Sequence, residues 1–166
     1  MPLPVAHGLL GATVIAAAHP QLTKRYFMPL LAGACLANLA DFDFILVFIL
    51  HSKTWHRGFL HSILVGLIVC LILVLSLGKR RIREAIAYGL AFTSHGILDY
   101  LTTKEGAGVE LLWPFSSERF VLGWVGLSEV PSKLSVVEVI KALGVELIVF
   151  APVLMLVLAL RKYATN

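Results

Sequence analysis

Charge is what this sequence has least of. Asp, Glu, Lys and Arg make up 14% of its 166 residues, against about a quarter in an ordinary soluble domain. That shortage argues against a chain solvated on all sides. Cysteine is scarce too. Cys35 and Cys70 are the two present, each inside an apolar run, and no CxxC pair occurs. Thiolate zinc sites and redox motifs therefore have no support, and both cysteines read as small buried hydrophobes. No Lys or Arg precedes the first apolar stretch, Pro2 to Ala18, so it lacks the charged start of a secretory signal and reads as a retained first helix. There is no internal repeat and no low-complexity segment.

Apolar residues supply 58% of the chain, gathered in long runs, the way membrane spans appear in a sequence. The expectation is an all-α, multi-pass transmembrane bundle of about five helices forming one domain over 1–166. The helices are expected near Leu3–Ala18, Met28–Leu50, Phe59–Leu77, Glu84–Leu101 and Val136–Leu160. The first is short of the roughly 20 residues of a full span. Gly78 stops the third. One long connection, Thr102–Ser135, carries glycines, prolines, Trp113 and Trp124, residues that suit a bilayer interface. A loop of that length in so small a protein is more often functional than filler.

The net charge is +4, with Lys79, Arg80, Arg81 and Arg83 in one knot. Between apolar runs such a knot is a topology signal, since Lys and Arg stay cytoplasmic, and no nucleic-acid partner is expected. Lys24-Arg25 and Arg161-Lys162 fall on the same side when helices alternate. The predicted orientation in the cytoplasmic (inner) membrane is therefore N-terminus out and C-terminus in, with the long loop extracytoplasmic.

Polar groups inside spans are costly, about 2.5–3.5 kcal/mol for Asp, Lys or Arg at a helix centre, so each needs a partner. His7, Asp41 with Asp43, His56 with His61, and His95 with Asp99 come from separate helices. On the predicted topology all fall at about one level, near the outer face. His95 and Asp99 are four apart and share a helix face. Asp41 and Asp43 are two apart, so either the helix breaks there or only one of them is a ligand. Imidazoles and carboxylates without thiolates suit one or two divalent ions, zinc first, with manganese or iron as alternatives. The metal candidates are thus His7, Asp41, Asp43, His56, His61, His95 and Asp99. His19 lies at the wrong end of the first helix, and His51 has no partner spacing. Asp43 is also a candidate catalytic base or ligand-orienting group. Arg57 is a candidate fork for a substrate phosphate or carboxylate, or else a headgroup contact. Glu146 has no evident partner; Lys141, five residues away, is a poor one.

Several of these stretches resemble a known family. His56-Arg57-Gly58 with His61-Ser62 is similar to the HRG…HS signature of the YdjM-like membrane-bound metal-dependent hydrolases, also described as LexA-binding and inner-membrane-associated. Asp41-Phe42-Asp43 resembles that family's DxD segment, and His95…Asp99 its H-x3-D segment. Thr102-Thr103, Gly106 and Trp113-Pro114-Phe115 resemble its later Thr/Gly and WPF elements, and His7-Gly8 resembles the N-terminal histidine. The resemblance covers about residues 5–116 and implies a multi-pass metal-dependent hydrolase. A more distant likeness, to zinc-dependent phospholipase C and P1 nuclease, implies His7, Asp41 or Asp43, His56 or His61, His95 and Asp99 as ligands, with Asp99 bridging two ions. No histidine occurs after His95, so that group's third metal site has no ligands here.

The resulting expectation is a membrane-bound metal-dependent hydrolase of an ester or phosphoester, a lipid being one candidate substrate, with membrane lipids as its surroundings. The competing reading is a non-enzymatic scaffold, or an ion or proton pathway, built on the same polar cluster.

Overall fold

In hydrocarbon every peptide N–H and C=O must find its bond within its own segment, which makes helices of long apolar runs. The computed structural model describes residues 2–20, 26–103, 108–123 and 135–165. Among them the chain is helical, with one isolated bridge between Val109 and Phe120. The helices are α1 (Pro4–Ala18), α2 (Phe27–Asn38), α3 (Phe44–Leu50), α4 (Ile63–Leu77), α5 (Ile82–Thr102) and α6 (Val136–Thr165).

Two expected helices turn out differently in detail. The second is an apolar rod, Phe27–Leu50, that tightens into a 3-10 turn over Leu39–Asp43 and so divides into α2 and α3. At about three residues per turn rather than 3.6, residues two apart sit about 120° rather than about 160° apart around the axis. The tightening thus swings Asp41 and Asp43 towards a common side. The third helix begins four residues later than expected. Phe59–His61 form a separate 3-10 turn, and Ser62 caps α4 by accepting from the Val65 N–H at 3.2 Å, a strong start signal. The segment before α4 meets it at 51°.

Small residues fill the interior and large ones face outward. Ala6, Ala12, Ala16, Ala37, Ala85, Ala87 and Ala91 are buried, whereas Phe48, Leu75, Ile148 and Met155 are at least 70% exposed. This inversion suits a lipid solvent, in which helices gain most from close approach. A Cβ on Gly11 would stand 2.4 Å from the Gly33 carbonyl oxygen, so the α1–α2 crossing requires glycine there. α1 packs on α2, α5 and α6, and α5 packs on α1, α2 and α4.

Among the described residues two helices qualify as membrane spans by length and composition, Phe27–Leu50 and Val136–Ala164, or three if the bent pair Lys53–His61 and Ile63–Leu77 is one span. That is fewer than the five expected. α1 has 15 residues, about 22 Å of helix, and falls short of the roughly 30 Å of bilayer hydrocarbon. α5 has 21 residues, but Glu84, His95 and Asp99 make it polar.

The described part of the long connection folds back over the segment before α4. The Glu110 N–H donates to the Arg57 carbonyl (3.1 Å), the Ile63 N–H to Leu111 (3.0 Å) and the Leu122 N–H to Tyr100 (2.9 Å). Lys24-Arg25, Lys104, Gly106, Trp124, Gly126, Pro131 and Lys133 lie outside the described residues.

α6 grips both ends of α1. Glu146, fully buried, accepts from the Ala6 N–H at 3.0 Å and from the Leu3 N–H. Arg161 donates to the Ala16 carbonyl at 2.7 Å and to that of His19. A carboxylate on the free N–H groups and a guanidinium on the free carbonyls satisfy the two ends that a helix cannot satisfy alone, each with the charge its dipole favours. Lys141, the weak sequence-based partner for Glu146, pairs with Glu138 instead at 3.2 Å.

Candidate metal centre

Near the N-terminal end of α1 the chain brings together seven candidate ligands and Arg57 from five places. His7 comes from α1, Asp41 and Asp43 from the 3-10 turn after α2, His56 and Arg57 from the segment beyond α3, His61 from the turn before α4, and His95 with Asp99 from α5. His7, Asp43, His95 and Asp99 are fully buried, His61 nearly so. Glycine permits the approach of α5: a Cβ on Gly96 would lie 2.2 Å from the His61 carbonyl oxygen.

Asp43 is surrounded by donors. It lies 2.9 Å from His56 Nδ1, accepts from the Arg57 N–H at 2.8 Å and stands 3.2 Å from His61 Nδ1. The other contacts are longer. His95 Nε2 is 3.4 Å from Asp41 Oδ1 and 3.8 Å from Asp99 Oδ2. His61 Nε2 is 3.6 Å from Asp99 Oδ2 and 3.8 Å from Asp41 Oδ1. His7 Nε2 is 3.5 Å from Asp99 Oδ1, and its ring stacks on that of His95 with centroids 3.7 Å apart.

Those longer distances decide how the cluster reads. A hydrogen bond between such groups spans about 2.7–3.2 Å. Two ligands of one zinc ion, each about 2.0–2.1 Å from the metal at tetrahedral angles, stand about 3.3–3.4 Å apart. Spacings of 3.4–3.8 Å are loose for the first and near the second. Both nitrogens of His7, Nε2 of His61 and His95, Oδ1 of Asp41 and both oxygens of Asp99 are buried without a hydrogen-bond partner. Each such orphan costs about 1–3 kcal/mol, so together they rival the whole stability of a typical domain, roughly 5–15 kcal/mol. A cation among them would remove that cost. The charge balance agrees: three carboxylates against one guanidinium leave two formal negative charges, those of one divalent ion.

The ring orientation is fixed as well. His95 Nδ1 lies 2.6 Å from the Ala37 carbonyl oxygen, which can only accept. That nitrogen therefore carries the proton, and in the neutral ring, the form that can bind an ion, Nε2 has its lone pair towards Asp41 and Asp99. A carbonyl or carboxylate behind the ligating imidazole is the usual support of a metal-binding histidine, and Asp43 is placed to do the same for His61. Among the described residues three overlapping triads have the spacing to hold an ion: His7, His95 and Asp99; Asp41, His61 and His95; Asp41, Asp43 and His56. His95 belongs to the first two, but with Nδ1 committed it has one lone pair to give.

Residues 1–165 match the family described as YdjM inner membrane protein. The chain belongs to that family. It is also 36% identical over 143 residues to inner membrane protein YbcI of Escherichia coli (strain K12), covering 80% of this chain and 75% of that protein. No solved structure matches. A family and a relative both named for the inner membrane agree with the apolar helices found here.

Arg57 departs from regular backbone. Its φ is +59°, a left-handed conformation uncommon outside glycine and often kept at functional sites. Its N–H is held by Asp43 and its carbonyl by the Glu110 N–H, which aims the guanidinium at Asp99, with Nε 3.5 Å from Oδ2. Arg119 braces the same segment, donating to the His56 carbonyl at 3.2 Å and pairing with Glu110 at 3.0 Å.

Sequence reasoning missed four contributors: the Ala37 carbonyl, the Glu110–Arg119 brace, Asn38 beside Asp41, and Glu146 behind His7. Only Glu146 left a signal, as a carboxylate in an apolar run, where an ionisable group without a partner calls for one. A backbone carbonyl carries no mark in a sequence.

Proposed function

We propose that this protein is a membrane-bound metal-dependent hydrolase of an ester or phosphoester. The observation that carries the reading is the set of orphaned imidazole and carboxylate atoms facing one another at ion-ligand spacing, with the His95 tautomer set from behind. His7, Asp41, His61, His95 and Asp99 are the ligands in this reading, drawn on for one ion or, with Asp99 between them, two. Zinc is the first choice for this donor set, manganese and iron the alternatives. When bound, such an ion supplies a Lewis acid for a carbonyl or phosphoryl oxygen and lowers the pKa of a water ligand towards about 7. Asp43 orients His56 and His61 and is the candidate proton acceptor. The Arg57 guanidinium, held beside Asp99, is the candidate partner for charge developing on substrate oxygen. On the orientation given by the basic clusters, the site faces the extracytoplasmic half of the bilayer.

A proton or ion pathway is the weaker reading. It needs polar groups at intervals through the bilayer. Between the His7 end and the His19 end of α1 the contact with α5 is instead a packed apolar cluster, Ile15, Ala87 and Ala91.

The test is hydrolysis by purified, metal-loaded protein in nanodiscs. Bis(p-nitrophenyl) phosphate and p-nitrophenyl esters serve as probes. The expected result is turnover that chelation abolishes, that the metal restores and that Asp99→Ala lacks. Turnover indifferent to chelation and to Asp99→Ala, or none from stoichiometrically loaded protein, contradicts the reading.

A further inference from the structure

α1 is too short for the bilayer, and the place where it falls short can be located. Its C-terminal end is anchored among charges: Arg161 on its last carbonyls, His19 3.7 Å from Glu84, and Arg81, whose side chain is 53% exposed, paired to the same carboxylate. Lys79 and Arg80 lie beside them in the turn before α5. Such a cluster sits at the water interface. The roughly 8 Å of hydrocarbon that α1 leaves unspanned therefore lies beyond Pro4, directly over His7 and Asp41. α3, by contrast, continues past that level with no buried residue.

A hollow occupies this place. It measures about 290 Å³ and is lined by Pro4, Asn38, Asp41, Phe42 and Ile45. Phe42 and Ile45 are 59% and 51% exposed on the outward side of an apolar span. At its edge is Asp41, whose Oδ1 faces His61 and His95. Asn38 stands beside it with its amide nitrogen bonded to the Ala34 carbonyl at 2.9 Å and its Oδ1 buried without a partner. A shallow apolar rim open towards lipid, with Asp41 of the polar cluster at its edge, matches one kind of molecule, an amphiphile lying with its chains in the leaflet.

We infer that this hollow is a lateral doorway through which a lipid of the leaflet at the Pro4 end brings its ester or phosphoester linkage to the ion site beside Asp41, with an acyl chain against Phe42 and Ile45. The fate of that linkage rests on the hydrolase reading. Hydrolysis consumes one water, whose oxygen bonds to the acyl carbon or phosphorus while the alcohol oxygen leaves and takes up a proton.

The experiment has two arms. Metal-free protein is reconstituted in nanodiscs of phosphatidylethanolamine and phosphatidylglycerol, doped with a phosphatidylcholine carrying a diazirine near the top of one acyl chain, and the cross-linked residues are mapped. The expected result is labelling around Phe42 and Ile45 at least fivefold denser than around Ile148, which is 75% exposed on α6. Ile45→Trp, filling the hollow, should erase that excess, and Phe48→Trp, one turn away, should not. Equal labelling at Ile148, or an excess untouched by Ile45→Trp, overturns the doorway. In the second arm metal-loaded protein is offered the nanodisc lipids and bis(p-nitrophenyl) phosphate. Ile45→Trp should lower lipid turnover at least tenfold, and Phe48→Trp should leave it within twofold. Hydrolysis of the soluble probe alone overturns the lipid assignment. Dense labelling without turnover of either probe upholds the doorway and removes the hydrolase reading instead.

Discussion

α1 has a polar cluster at each end, and the two are built on opposite principles. At the His19 end the groups satisfy one another: Arg81 Nε lies 2.9 Å from Glu84, His19 faces the same carboxylate, and Arg161 closes the helix. At the His7 end Asp43 and the Ala37 carbonyl hold His56, Arg57 and His95 by hydrogen bonds, yet both nitrogens of His7, Nε2 of His61 and His95, Oδ1 of Asp41 and both oxygens of Asp99 are buried without a hydrogen-bond partner. Both satisfy the rule that ionisable groups in a membrane need partners. One set finds them within the chain, whereas the other leaves atoms without hydrogen-bond partners at spacings that could hold a metal ion. Buried charge by itself is thus a poor guide to function, and unfinished bonding is a better one.

If that contrast is right, substitutions at the two ends fail in different ways. The largest effect belongs to His95→Ala and Asp99→Ala, each expected to take bound metal from stoichiometric to background. His95→Ala should also cost stability in the metal-free protein, because it deletes the bond to the Ala37 carbonyl and the ring stacked on His7, whereas Asp99→Ala removes two orphaned oxygens at the expense of the Arg57 ion pair and should change stability less; metal analysis beside a thermal melt checks both halves. Gly96→Ala should join them in metal loss, since its methyl group collides with the turn that carries His61.

Asp43→Asn comes next. It keeps the shape but weakens the support of His56 and His61, and losing such a supporting group typically costs about 10–100-fold in metal affinity. Competition with a chelating dye measures it. Glu146→Leu should act mainly on stability, since it strands the Leu3 N–H at about 1–3 kcal/mol and leaves the Ala6 N–H with the Leu3 carbonyl alone, with a smaller loss of affinity through the shifted His7; Glu146→Gln should recover part of both. The smallest effect is expected from Glu84→Gln. Its partner Arg81 is half in solvent, so the loss should be about 1 kcal/mol or less, with metal content unchanged. Metal loss in Glu84→Gln would erase the distinction between the two ends.

The sequence carried the helical class, the approximate helix limits and the seven residues gathered at the His7 end, because unusual polar residues in apolar runs are conspicuous. It carried the number of spans poorly. α1 reads as apolar along its whole length, yet its extent relative to the bilayer depends on where its charged end is anchored, and that is set by Arg161 and Glu84, far away in sequence. The 3-10 turn at Asp41–Asp43 was legible only as a dilemma about two aspartates spaced wrongly for one helix face. The orienting role open to Asp43 was legible as one of two alternatives, but the Ala37 carbonyl behind His95 was not, since a backbone group carries no mark in a sequence.

The central claim is that the His7 end of α1 is completed by a divalent ion. Elemental analysis of detergent-purified protein, run in parallel on the unaltered chain, Glu84→Gln and Asp99→Ala, tests it most directly. The account predicts zinc, manganese or iron in stoichiometric amount in the first two and background in the third. Background metal in all three after incubation with each ion and desalting, or equal metal in all three, would contradict it.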